Sequence, residues 1–135
     1  MEKVFDASVI IKWFISEEGS DSALIYLQDY RDRRFSIIVP TLLYYELGNI
    51  LLAKRATEDQ VSKIMASLLA LSLVDINIGH DAFRKVFENA QDLKITYYDA
   101  SYITLMQNKN CEFVTADKKL YEKVKKKFTH IKLLQ

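Results

Sequence analysis

A single cysteine, Cys111, occurs in 135 residues. One thiol cannot form an internal disulfide and cannot by itself build a thiolate zinc site, so a reducing, cytoplasmic setting is the expectation. Proline occurs once and glycine three times, which leaves no linker or low-complexity stretch. The composition describes one compact domain over residues 1–135. No apolar run is long enough for a bilayer: the uncharged stretch from Phe35 to Tyr45 falls well short, and Met1 to Asp6 lacks the apolar body of a signal peptide. No membrane association is therefore expected. Nor is there an excess of charge of one sign. A formal net charge of +1 advertises no nucleic-acid funnel. The one basic concentration, Lys118, Lys119, Lys123 and Lys125 to Lys127, reads as a solvated helix face. His80 and His130 each lack a His, Cys or acidic companion at ligand spacing, which argues against either as a metal ligand.

What is present is a regular alternation. Lys3 to Phe5 reads as a short strand stopping at Asp6, followed by an apolar helix from Ser8 to Ile15. Ser20 caps a second helix that carries Leu24, Tyr26 and Leu27 to a polar end at Arg31-Asp32-Arg33-Arg34. After the strand Phe35 to Val39, Pro40 suits the first turn of a helix from Thr41 to about Arg55. Thr57 to Gln60 has the spacing of a capping box and opens a helix through Leu71 with Val61, Ile64, Met65, Leu68 and Leu69 as its core face. Leu73 to Ile78 alternates like a half-covered edge strand with Asp75 outward, and a helix from Asp81 to about Gln91 turns Phe83, Val86 and Phe87 inward. A helix from Thr96, a strand Cys111 to Thr115, a lysine-rich helix with Leu120, Tyr121 and Val124, and a strand near His130 to Leu133 complete the chain. Strands alternating with helices on short connections predict an α/β fold, a parallel sheet with helices on both faces.

Two acids break their helices' apolar stripes. Asp99 stands three residues after Thr96, the spacing of a capping box, yet it shares a face with Tyr102, Ile103 and Met106. Glu46, with Asn49, interrupts a stripe of Leu42, Leu43, Ile50 and Ala53. A carboxylate on a buried stripe needs a cation, a metal or several donors. Asp6 and Asp117 follow strands directly, although Asp117 is also a good helix N-cap. In parallel sheets the ligand crevice lies beyond the carboxyl ends of the strands, where strand order reverses. If the strands of Asp6 and Asp117 are neighbours there, the inward acids have somewhere to go. Four carboxylates without lysine or arginine between them form a hard, oxygen-only set, which selects Mg²⁺ or Mn²⁺ over zinc and suits phosphoryl transfer.

On these residues the sequence resembles the PIN-domain ribonucleases, and within them the VapC-like toxins of prokaryotic toxin–antitoxin pairs. Asp6-Ala7-Ser8-Val9 with Lys12-Trp13-Phe14 looks like the opening motif, Glu46 with Asn49 like the Glu-x-x-Asn helix, Thr96 to Tyr102 like the third motif and Thr115-Ala116-Asp117 like the fourth. The resemblance implies a three-layer fold with a five-stranded parallel sheet of order 3-2-1-4-5. It implies a metal-dependent endoribonuclease in which Asp6, Glu46, Asp99 and Asp117 bind Mg²⁺ or Mn²⁺, with Ser8 and Thr115 as supporting hydroxyls. Asn49 is read as a donor orienting Glu46, set against a plain helix-to-helix hydrogen bond. Some relatives carry another acid where this chain has Lys118 and Lys119, which are read here as phosphate contacts. RNA as substrate, a cognate antitoxin and a homodimer are the implied partners, and eight tyrosines and seven phenylalanines supply interface anchors in support.

Two other readings stand beside this one. A response-regulator receiver is also α/β with an acidic Mg²⁺ pocket, but it wants paired acids after the first strand, where Asp6 is alone. A PIN-like module that binds RNA or an antitoxin with weak or no catalysis would keep the fold. The four acids argue against that loss.

Overall fold

The computed structural model describes residues 1–135. Strand β1 (Glu2–Phe5) lies at the centre of the sheet, and its last two residues, Val4 and Phe5, are wholly buried on opposite faces. Beyond it on one side run β2 (Ser36–Pro40) and β3 (Val74–Ile76), and on the other β4 (Glu112–Thr115) and β5 (Ile131–Leu133). All four pairings are parallel, and the order is β3-β2-β1-β4-β5, as the resemblance implied. Burial on both faces explains why the central strands read as continuous apolar runs.

Helices cover the two faces separately. α1 (Ala7–Ile10), α2 (Ser20–Arg31), α3 (Leu42–Ala53) and α4 (Glu58–Leu71) pack with Phe5, Ile37, Val39 and Val114 in one core. α5 (Phe83–Leu93), α6 (Tyr97–Lys109) and α7 (Lys118–Val124) pack with Val4, Ile38 and Phe113 in another. α6 is buried continuously from Ala100 to Met106, so it is the central helix of its layer. Asn89, itself buried, ties α5 to it by donating to Thr104 Oγ1 and Gln107 Oε1 at 3.0 and 2.7 Å.

Several local expectations are corrected. The first helix tightens into a 3₁₀ turn at Ile11–Trp13, where Trp13 Nε1 donates to Ala23 O at 2.9 Å. Pro40 ends β2 and does not open a helix, because the chain stays extended through its pairing with Ile76 and turns only at Thr41. α3 buries Leu43, Leu47 and Leu51 and leaves Ala53 exposed. Leucines surround that helix, so its sequence does not single out one stripe. α4 fully buries only Ile64, with Met65 58% and Leu69 73% exposed, and α5 buries Val86 while Phe83 and Phe87 are 57% and 51% exposed. Periodicity identifies an apolar face but not whether the same chain covers it.

Candidate active site

The direction in which successive strands are added reverses at β1, since β2 and β3 lie to one side and β4 and β5 to the other. Phe5 is in register with Val114, which sets the residues that follow, Asp6 and Thr115, side by side at the carboxyl ends. Asp6 is the N-cap of α1, and its Oδ1 accepts from the Val9 amide at 3.3 Å. Its carboxylate also receives Ser8 Oγ on Oδ1 and Thr115 Oγ1 on Oδ2, both at 2.5 Å. Ser8 Oγ accepts from the Ala116 amide at 2.9 Å, and Thr115 Oγ1 from the Asp117 amide at 3.1 Å. Two hydroxyls thus lace the start of α1 to the end of β4. Burial nevertheless dominates, and it pushes Asp6 up to about 7 against the hydrogen bonds of Ser8 and Thr115, with Glu46 adding like-charge repulsion.

Glu46 reaches the same cleft from α3. Burial raises its pKa and the charge of Asp99 adds to this, while Tyr102 works the other way. Tyr102 Oη donates to Glu46 Oε1 at 2.6 Å, and the ring is stacked on Phe113 at 5.7 Å. Burial, then Glu46, hold the phenol far above its usual range. Asp99 projects from the first turn of α6. Thr96 Oγ1 accepts from the Asp99 amide at 3.0 Å, but the return bond that would complete a capping box is not made. Only half of the capping reading therefore holds. Burial raises Asp99 as well, with Asp117 the next cause. Asp117 caps α7, with Oδ1 accepting from the Leu120 amide at 3.0 Å.

All four acids line one cleft of about 460 Å³, together with Ser8, Asn49, Tyr45, Tyr98 and Tyr102, and no lysine or arginine is in its wall. Lys123, outside the wall, partly offsets the rise at Asp99 while donating to Lys94 O at 3.0 Å. An oxygen-only donor set of this charge suits a hard divalent cation in its chemistry. In this conformation hydroxyls and amides engage Asp6 and one oxygen each of Glu46 and Asp117, and no three acids form a group that would hold an ion.

Asn49 lines the cleft, but no hydrogen bond links it to Glu46; Tyr102 performs the role expected of it. Lys118 opens α7 and is exposed outside the cleft wall. Tyr102 was legible only as core, because its polar partner lies 56 positions away. Tyr45 and Tyr98, 75% and 60% exposed at the cleft, gave no signal beyond a count of aromatics.

No curated protein matches the chain in sequence. Its fold is similar to the crystal structure of PAE2754 from Pyrobaculum aerophilum, with a TM-score of 0.68 and 23% identity, covering 91% of this chain and 79% of that one. The family profile described as PIN domain matches residues 3–127. The chain therefore belongs to the PIN-domain family, a family of nucleases.

Proposed function

We propose that this protein is a metal-dependent endoribonuclease, the toxin of a toxin–antitoxin pair. The observation that carries the reading is the convergence of Asp6, Glu46, Asp99 and Asp117, from four separate elements, on one cleft without a cation in its wall. These four would hold Mg²⁺ or Mn²⁺. When bound, such a cation polarises the scissile phosphate, lowers the pKa of water and offsets charge on the leaving oxygen. The chain's own groups do the positioning. Ser8 and Thr115 fix Asp6, Tyr102 fixes Glu46, and Asp117 is held by its cap. Tyr45 and Tyr98 offer exposed rings at the cleft for unstacked bases, which favours a single-stranded RNA region over a duplex.

A homodimer and capture by an antitoxin belong to the same proposal. Their support is the apolar surface on Leu52, Met65, Leu69, Phe83 and Phe87, each more than half exposed. An antitoxin would set a basic side chain among the acids in place of the metal. A cytoplasmic location is part of this reading; no helix is long and apolar enough to cross a membrane.

A second reading, an RNA- or antitoxin-binding module with weak or no catalysis, keeps the same fold and the exposed rings of Tyr45 and Tyr98 at the cleft. Incubating purified protein with RNA separates the two. Cleavage in Mg²⁺ or Mn²⁺ that stops in EDTA supports the nuclease, and RNA retention without cleavage supports the module.

A further inference from the structure

A surface pocket of about 720 Å³ lies away from the acidic cleft, at the opposite, amino-terminal end of the sheet, where Met1 precedes β1 and Ser36 opens β2. Its wall carries Arg31, Arg33 and Arg34 from the end of α2, the hydroxyls of Ser36, Ser67 and Ser72, and apolar surface from Tyr30, Phe35 and Leu71. Its charged residues are all arginines, whereas the acidic cleft has none.

Basic residues after a helix usually serve the helix's own orphan carbonyls. Here three of the last four carbonyls of α2 are already taken. Asp32, Arg33 and Arg34 amides donate to Gln28 O, Tyr30 O and Asp29 O at 2.9, 2.9 and 3.0 Å, and Tyr30 Oη donates to Leu71 O at 2.5 Å. The guanidiniums are left over. Arg34 makes only a loose contact, 3.5 Å, with Asp29, and Arg31 and Arg33 pair with no carboxylate. The hydroxyls of Ser36, Ser67 and Ser72 likewise bond to nothing within the protein.

We propose that this pocket is a second ligand site, which takes a phosphate-bearing group of nucleotide size. Guanidinium forks match phosphate oxygens in pairs, the serines add neutral donors, and the half-buried Tyr30 and Leu71 give a base or sugar an apolar wall. A cavity of this size falls in the range of small-ligand sites. The phosphate is that of a free nucleotide or of a nucleotide within an RNA strand. The site stands independently of the cleft and of any catalysis there.

The test is amide chemical-shift mapping of the full chain in EDTA, with AMP and, separately, a short single-stranded RNA. Shifts are expected at residues 30–36 and 67–72. Arg33 sits at φ 59°, so Arg33→Gly relieves its backbone and should fold at least as well as the parent; it should weaken binding roughly tenfold or more. Arg31→Ala should weaken it as well. Response to AMP identifies a free nucleotide, and response to RNA alone identifies a strand phosphate. The proposal is overturned if neither probe moves these amides, or if both variants respond as the parent does. RNA cleavage, read separately, reports on the cleft alone.

Discussion

Tyr102 and Glu46, 56 positions apart, are joined by a 2.6 Å hydrogen bond that fastens α6 to α3 across the acidic cleft. Tyr102→Phe keeps the ring stacked on Phe113 and removes only the donor. Stability should fall by about 1 kcal/mol, since water can reach the half-buried carboxylate in its place. RNA cleavage should fall more, by roughly tenfold or greater, because the loss of an outer partner lets the carboxylate swing. Melting and cleavage rate, measured on the same preparation, check the split. Equal, small changes in both would make the bond merely structural.

Asp6 gives a pH dependence of defined sign. Its folded pKa, about 7, lies above its ordinary 3.8, so the folded chain holds the proton more tightly than the unfolded one. The stability this contributes is fully present below 3.8 and is lost as pH rises through about 7, a change of order 4 kcal/mol at most. Glu46 and Asp99, raised by burial, add in the same direction. Glu17, lowered by Lys54 and Lys12, acts oppositely, but below its ordinary 4.5. Thermal melts in EDTA should therefore show a more stable protein near about pH 5.5 than near about pH 8. Asp6→Asn should flatten that difference, and a wild-type melting temperature that rises over this interval would contradict the assignment.

Much of this arrangement was readable from the residues alone. Val4-Phe5, Ile37-Ile38-Val39 and Phe113-Val114 are apolar without alternation because both faces of the sheet are covered, and Asp6, Glu46, Asp99 and Asp117 stood out as acids against apolar patterns or after strands. What could not be read depends on distance in sequence. Neither the bond from Tyr102 to Glu46 nor the place of Arg31 and Ser67 in one pocket wall has a local signal. Phe83, Phe87, Met65 and Leu69 were placed inside by periodicity, which records apolar faces whatever covers them.

Asn89 tests the packing independently of the site. Its amide donates to Thr104 and Gln107 from a buried position. Asn89→Ala should leave the buried Thr104 hydroxyl with one partner fewer and cost about 1 to 3 kcal/mol. Urea unfolding should show the lower midpoint with an unchanged slope. A variant as stable as the parent would show that water or a repacked neighbour replaces the amide.

The central claim, that the four acids are a cation site and not a set of caps, is tested most directly by Asp99→Asn. Asp99 gives its helix roughly 0.3 to 1 kcal/mol as a first-turn charge, and an amide retains most of its hydrogen-bonding capacity. Against this stand its burial and the nearby charge of Asp117, both of which oppose ionisation. Removing the charge should relieve the metal-free cleft by more than the helix loses. The measurement is the melting temperature of wild type and Asp99→Asn, each in EDTA and in Mg²⁺, with RNA cleavage recorded alongside. The account predicts that the variant melts higher than wild type in EDTA, gains little from Mg²⁺ and does not cleave, while wild type is stabilised by the ion. A variant that melts lower, with Mg²⁺ shifting neither protein and cleavage intact, would contradict it.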